Sequence, residues 1–181
     1  MCTKTMNIAL MVKWVWKICT ERDLKPLWLK LIHSKYLGAL DLFSSNAAGG
    51  FQFWHNIHKI KNFFKLGAKF LLGTGTTIRF WEDWWIGESP LSARYPRLFE
   101  ILARPDMFVS QAHNGQRWRL SFRHTFGDAD LVQWHQLIAE LDSVAPSDDQ
   151  DSVSWAPELS GQLSVASLYR KILHSTDHPC P

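Results

Sequence analysis

The sequence is poor in cysteine and has no long uninterrupted hydrophobic run. Its three cysteines, Cys2, Cys19 and Cys180, form no paired spacing, so a secreted disulfide framework is not expected. The apolar run at residues 8–19 is interrupted by Lys13 and Lys17, and it is shorter than the roughly 20 apolar residues that span a bilayer. It also lacks a small-residue cleavage site. These features predict no membrane segment and no signal peptide, and they favour an intracellular location, nuclear or cytoplasmic.

Tryptophan, in contrast, is abundant. The chain has 181 residues, of which ten are tryptophan and 46% are hydrophobic. Three of the tryptophans lie between Ile78 and Gly87, beside Glu82 and Asp83. Because tryptophan is large and amphipathic, such a cluster is typical of a packed interior or of a partner-binding surface. We interpret this cluster as interior.

Charge is distributed unevenly along the chain. Up to Phe80 there are 12 Lys and Arg against 3 Asp and Glu, and after it 8 against 14. The two parts therefore carry +9 and −6 within an overall charge of +3. This asymmetry indicates either nucleic-acid contact by the basic half or attraction between the halves.

Three helices are predicted in the N-terminal third. Asn7 and Asp23 are the expected N-caps of the first two, and the third runs from about Phe51 to Leu66, with Gly67 as its terminator. Residues 41–50, which contain serine, asparagine and glycine, are predicted to form a loop. The apolar residues at helical spacing are Ile8, Met11, Val12, Val15 and Ile18, then Leu24, Leu27, Trp28, Leu31 and Ile32, then Phe53, Trp54, Ile57, Ile60 and Phe64.

The hydrophobic period changes after the third helix. Residues 69–81 have β-branched and aromatic residues on both sides of Gly73-Thr74-Gly75, which predicts a central Trp-rich β-hairpin. Asp128 is the expected cap of a helix at 128–142, and the acidic segment 145–151 is expected to be a linker. A terminal hairpin, with a turn at Ser160-Gly161, and a helix beginning at Ser164 or Ser167 should follow. The predicted fold class is α+β.

Several short patterns follow one another in a definite order. They include KWVWK, FQFWHNI, LGTGTTIRFWEDWWIGESPL, YPRLFEI and, near the end, DSVSW with SGQLSVASLY. This succession, over about residues 7–173, resembles the region of plant non-LTR retroelement reverse transcriptases between the polymerase and the C-terminal zinc-binding domain. The signature residues are Gly73, Gly75, Trp81, Asp83, Trp85, Trp155, Gly161 and Tyr169.

The resemblance implies a domain organisation and a role. Residues 1–144 would be the connector, 145–151 the linker, and 152–181 a truncated start of the zinc-binding domain. The family's polymerase holds two metal ions through a Tyr-x-Asp-Asp turn, and its zinc-binding domain uses a Cys-x-x-Cys pair. The sequence contains neither. The resemblance therefore implies a non-catalytic connector or scaffold, a degenerate remnant without a cofactor, whose partners would be the missing polymerase or zinc-binding parts.

Catalytic and metal-binding roles have little support among the polar residues. Glu82 and Asp83 are adjacent, so on an extended segment they face opposite ways, and we expect Asp83 to accept backbone N–H groups in a turn. His55 and His58 share a helix, but one turn further on there is no third ligand. The tail residues His174, His178 and Cys180 could chelate only adventitiously. We therefore predict no catalytic residue and no metal site.

A nucleic-acid-binding module is the alternative function. The residues expected to contact phosphates are Lys59, Lys61, Lys65, Lys69 and Arg79. Phe80 or Trp84 would then stack on a base. The competing interpretation is that the tryptophans pack in the core and the lysines keep the helix soluble. An enzyme remains a third hypothesis, and it would need a pocket where groups such as Asp83, His113 and His124 converge.

Overall fold

Helices make up most of the regular structure. The computed structural model describes residues 3–21, 26–38, 41–47 and 49–175. The α-helices are α1 (Thr3–Thr20), α2 (Leu27–Ile32), α3 (Gln52–Phe64), α4 (Leu91–Arg94), α5 (Pro96–Glu100), α6 (Val109–Ala112), α7 (Asp128–Leu141) and α8 (Val165–Ser175). A π-helical turn, His33–Leu37, follows α2, and the strands are β1 (Ala68–Leu71) and β2 (Ser152–Trp155). The α+β class is confirmed.

The chain divides into two units. Unit 1 comprises Met1–Ala68 and Val153–Pro181, and unit 2 comprises Lys69–Ser152. Strands β1 and β2 pair in a two-stranded antiparallel sheet, and each passage of the chain from one unit to the other falls within one of these strands. The domain boundaries drawn from the resemblance stay a prediction. No helix in the described ranges has the length and apolarity needed to cross a membrane.

The first two helices differ from the prediction in detail. Asn7 lies inside α1, which begins at Thr3, because the preceding residues continue the helix instead of capping it. In α2, Leu29 and Ile32 are buried, whereas Leu27 and Leu31 are 82% and 59% exposed. The prediction that Leu27 and Leu31 face the core is therefore wrong. Asp23 and Leu24 lie outside the described residues.

Helix α3 is confirmed and lies in the core of unit 1. Trp54, Ile57, Ile60 and Phe64 are buried along one face. Gly67 does not end the helix through a left-handed conformation. Instead, a Cβ at Gly67 would lie 2.8 Å from the ring of Trp155, so the glycine permits close approach of that ring.

The predicted central hairpin does not form. Strand β1 pairs with β2, more than 80 residues later in the chain. Residues 73–77 instead wrap around the carboxylate of Asp151, which accepts hydrogen bonds from the N–H groups of Gly73, Gly75 and Thr77. The predicted terminal hairpin does not form either, because no strand follows the turn at Gly161 before α8 begins at Val165. Ser164 does begin α8, where its Oγ accepts the N–H of Ser167.

Helix α7 is confirmed with a different cap. Gly127 is the N-cap, and the side chain of Asp130 accepts the N–H of Gly127 at 3.0 Å. Asp128 is the first helical residue, so its predicted capping role is wrong. Before α7, the short helix α4 follows Pro90, and Gly115 adopts φ +87° in a turn.

The core of unit 2 is built around the tryptophan motif. Its largest fully buried side chains include Phe80, Trp81, Ile78, Leu91, Leu98, Leu102 and Leu137. Trp118, Phe122 and Trp134 are partly buried against this cluster. The central motif therefore shares one apolar interior with α4, α5 and α7. Burial of this apolar surface is the main favourable contribution to folding.

Candidate nucleic-acid interface and the tryptophan motif

The motif tryptophans are interior residues, as the sequence predicts. Trp81 is fully buried and Trp85 is 5% exposed. The indole Nε1 of Trp85 donates to the carbonyl of Phe80 at 2.8 Å, and that of Trp84 donates to the carbonyl of Gly87 at 2.9 Å. The described residues offer the buried Nε1 of Trp81 no acceptor. The side chain of Trp81 therefore contributes by packing, while its carbonyl accepts the N–H of Ser92.

The two adjacent carboxylates of the motif have different environments. Asp83 is 4% exposed, and its Oδ2 accepts the N–H of Arg79 at 2.8 Å. Glu82 is exposed, with its Oε2 3.9 Å from Nε of Arg79. The predicted role of Asp83 as a turn acceptor is confirmed. The two carboxylates do not form a shared ligand pair.

Asp151 and residues 73–77 form a polar contact of four hydrogen bonds within unit 2, which we call the Asp151 clamp. One carboxylate oxygen accepts the N–H of Gly73 at 2.9 Å and of Gly75 at 2.7 Å. The other accepts the N–H and the hydroxyl of Thr77, both at 2.9 Å. Burial raises the pKa of Asp151, but these donors outweigh it and hold the pKa below its usual value. The Asp151 carboxylate therefore occupies the position that a bound anion takes where several backbone N–H groups converge.

The glycines of the clamp are required by close contacts. A Cβ on Gly73 would lie 2.1 Å from the carbonyl oxygen of Asp149. Gly75 has φ +70°, and a Cβ there would lie 2.9 Å from the side chain of Val109. Gly73 and Gly75 thus have structural roles at this turn.

The signature residues of unit 1 also have structural roles, in the core and in backbone hydrogen bonds. Trp155 is fully buried, and its Nε1 donates to Oγ of Ser167 at 2.7 Å. The backbone N–H of Trp155 donates to the carbonyl of Gly161, which has φ +68°. Tyr169 is half-buried on α8. These residues connect β2, the following turn and α8 within one unit.

The three candidate lysines of α3 and its C-cap have different surroundings. The ammonium of Lys61 donates to the carbonyls of Leu42, Phe43 and Ser45 at 3.0, 3.3 and 3.4 Å. Lys65 lies 4.8 Å from the ring centre of Phe43. Lys59 is exposed. Lys61 and Lys65 therefore help to hold the loop that precedes α3.

The other two candidate cations belong to unit 2 and also make intramolecular contacts. Lys69 donates to the carbonyl of Gly87 at 3.3 Å and lies 5.5 Å from the ring centre of Trp84. The guanidinium of Arg79 lies 5.7 Å from the ring centre of Phe108. Phe80, one of two predicted base-stacking residues, is fully buried and is not available to a ligand.

Replacing Lys61 should destabilise the protein, whereas replacing Lys59 should not. We expect Lys61→Gln to lower the free energy of unfolding by about 1.5 kcal/mol, because three loop carbonyls lose a charged donor. Lys59→Gln should change it by less than about 0.5 kcal/mol, as is usual for an exposed side chain. Urea denaturation of both variants measures the difference. Equal effects would contradict the role assigned to Lys61.

Histidines and tail residues form no metal centre in the part of the chain described. No group of three or more His, Cys, Asp and Glu side chains there could hold a metal ion. The Nε2 of His58 lies 3.4 Å from Oγ of Ser45, and burial together with the charges of Lys61 and His55 lowers the pKa of His58. His178 and Cys180 lie outside the described residues.

The two units also differ in net charge. Unit 1 contains 12 Lys and Arg against 5 Asp and Glu, a net charge of +7, and unit 2 contains 8 against 12, a net charge of −4. This grouping does not follow from the order of the residues in the chain, because it depends on the packing of α8 against α1. The exposed aromatic residues of unit 1 were not predicted either, since Phe53 fits the apolar stripe of α3 and Trp14 lies beside the apolar stripe of α1.

The comparisons with known proteins give one distant similarity. The chain is 24% identical over 180 residues to a protein of Arabidopsis thaliana named "Putative ribonuclease H protein", and the match covers 93% of the chain and 27% of that relative. The chain thus spans about a quarter of the length of the curated relative it matches. No family model and no solved structure matches it.

Proposed function

We propose that this chain is a non-catalytic connector or scaffold region of a retroelement reverse transcriptase-like protein, a degenerate remnant of the larger machine. The similarity to part of a much longer plant protein supports the view that such a region belongs to a larger architecture. The chemistry of that architecture would lie outside these two units, with the missing polymerase or zinc-binding parts as partners.

The observation that carries the proposal is the structural role of the signature residues. Trp81, Trp85 and Trp155 are buried, and Asp83 accepts a backbone N–H. Gly73 and Gly75 shape the Asp151 clamp. A motif made of interior rings and backbone contacts specifies a fold, whereas a catalytic motif presents its groups to a substrate.

The matched pair Asp83→Asn and Glu82→Gln tests this proposal. If the motif is structural, Asp83→Asn should lower the free energy of unfolding by about 1.5 kcal/mol, because the buried charged acceptor of the Arg79 N–H becomes neutral. Glu82→Gln should leave it unchanged. Both should leave cleavage of an RNA–DNA hybrid with Mg²⁺ at the level of a no-protein blank.

The contrary result is equally specific. The non-catalytic role would be overturned if the full chain showed Mg²⁺-dependent cleavage or primer extension and the Asp83→Asn or Glu82→Gln variant lost that activity. The variant would also have to keep the parent's stability. Thermal denaturation of each variant under the assay conditions separates lost activity from lost fold.

A second candidate function, binding of RNA or DNA, is supported by the charge of unit 1. Its net charge of +7 would attract a phosphate backbone and would make binding fall steeply with salt. Since Lys61 and Lys65 contact the fold itself, Lys59 is the sharper probe among the candidate lysines. Lys59→Glu should weaken salt-sensitive binding to an oligonucleotide without unfolding the protein.

A further inference from the structure

Unit 1 exposes three aromatic rings, those of Trp14 on α1, Phe53 on α3 and Phe51 at the N-cap of α3. Phe51 is 70% exposed, Trp14 40% and Phe53 38%. Trp14 and Phe53 are in edge-to-face contact with ring centres 5.7 Å apart, and Trp14 makes a second such contact with Trp28 at 4.8 Å. We call Trp14, Phe51 and Phe53 the aromatic platform. Clustered apolar surface that stays exposed is a feature of interaction sites, whereas single exposed apolar residues are common on any protein.

Cationic side chains accompany the platform. The ammonium of Lys35 lies 4.2 Å from the ring centre of Phe51 and 5.4 Å from that of Tyr36. Lys35 and Tyr36 both belong to the π-helical turn His33–Leu37. On α1, Lys17 is exposed three residues after Trp14, which places it on the same face of the helix.

The charge of the described part of unit 1 favours a polyanionic occupant. It contains ten Lys and Arg but only three carboxylate side chains, those of Glu21, Asp41 and Glu158. Asp41 accepts hydrogen bonds from the N–H groups of Phe43 and Ser44 and from the Ser44 hydroxyl. Glu158 accepts the hydroxyl of Ser164. Two of the three carboxylates are therefore used within the fold.

We propose that the aromatic platform binds single-stranded nucleic acid, with bases stacked on Trp14, Phe51 and Phe53 and phosphates attracted by Lys35 and Lys17. Every base has an apolar face that can stack on a protein ring, and a positive surface beside the rings follows the backbone. Bases within a duplex are stacked on one another, so the rings select a single strand. This inference rests on the second candidate function and assigns it a surface different from the predicted lysine cluster.

The test measures binding of a fluorescent oligouridylate of about ten nucleotides, a length that matches single-strand binding sites, to the full chain by polarisation. Phe51→Leu and Trp14→Leu keep apolar surface but remove a stacking ring. We expect each to weaken binding about ten-fold, within the range measured for single stacking contacts. Trp14→Phe should retain most of the affinity, and Lys35→Gln should reduce the salt dependence. A duplex of the same length should bind more weakly.

The controls separate the possible outcomes. Leu159→Ala alters a fully exposed apolar residue of the same unit and should leave binding unchanged.

If Phe51→Leu and Trp14→Leu have no effect on binding while Lys59→Glu weakens it, unit 1 binds nucleic acid by charge at another surface and the platform proposal is wrong. If the parent does not bind at low salt, both nucleic-acid proposals are wrong while the connector proposal stands. If the parent self-associates and Phe51→Leu abolishes that without altering nucleic-acid binding, the platform joins copies of the chain, and the proposal is again overturned.

Discussion

Trp81→Ala should lower the free energy of unfolding by about 4 kcal/mol, the typical cost of truncating a fully buried tryptophan. The ring is completely inaccessible to solvent and lies 5.2 Å from the ring centre of Phe80 and 6.1 Å from that of Phe99. Its removal would leave a cavity among rigid aromatic neighbours that can collapse only partly. Chemical denaturation followed by circular dichroism measures the change.

Trp81→Phe provides the control for this substitution. It keeps an aromatic ring in the core and removes an indole N–H that has no acceptor among the described residues. An unpartnered buried donor costs about 1–3 kcal/mol, so removing it should offset much of the lost packing. We expect Trp81→Phe to retain most of the parent's stability. A Trp81→Ala effect below about 1 kcal/mol would contradict the interior position of the ring.

Asp151→Ala should lower the free energy of unfolding by about 3 kcal/mol. Three backbone N–H groups and one hydroxyl would lose a charged acceptor that is 74 to 78 residues distant in sequence. Asp148→Ala is the matched control, since Asp148 is an exposed aspartate of the same segment. It should change stability by less than about 0.5 kcal/mol. Equal effects would remove the basis for the Asp151 clamp.

The clamp also predicts a pH dependence. The hydrogen bonds hold the pKa of Asp151 in the folded protein below its ordinary value. Its stabilising contribution is therefore complete above the unfolded-state pKa of about 3.9 and is lost as the pH falls through the lower folded pKa. The stability difference between the parent and Asp151→Asn should be full at neutral pH and should shrink in acid. A difference that grows below pH of about 4 would contradict this assignment.

Features set by neighbouring residues could be predicted from the sequence. The helical spacing of Trp54, Ile57 and Ile60 predicts α3, and the same logic predicts α7 and α8. The role of Asp83 could also be predicted, because its hydrogen-bond donor is the N–H of Arg79, only four residues away. These contacts depend on local geometry, which spacing in the sequence encodes directly.

Features set by distant residues could not be predicted in this way. Gly73-Thr74-Gly75 has the composition of a hairpin turn, but its N–H groups are satisfied by Asp151, and β1 pairs with a strand from the end of the chain. The same limit applies to α2, where periodicity places Leu27 and Leu31 in the core although tertiary packing buries Leu29 instead. A local pattern identifies an amphipathic element but does not identify its partner.

The exposure of the aromatic rings could not be predicted from the sequence for a similar reason. Phe53 lies at a position that the helical stripe of α3 assigns to the core, Trp14 lies beside the stripe of α1, and the two rings are in edge-to-face contact. Their remaining exposed area depends on how far α1, α2 and α3 cover one another, which no single helix encodes. The candidate binding surface of unit 1 therefore became visible only in three dimensions.

Exchange of the indole N–H protons is the most direct test of the claim that the motif tryptophans are interior structural residues. The ten tryptophans give separate indole signals in a ¹H–¹⁵N spectrum, which single Trp→Phe variants can assign. We predict slow exchange with D₂O for Trp85 and Trp155, which are buried and hydrogen-bonded, and fast exchange for the exposed Trp14. Fast exchange of Trp85 and Trp155 in the folded protein would contradict the account.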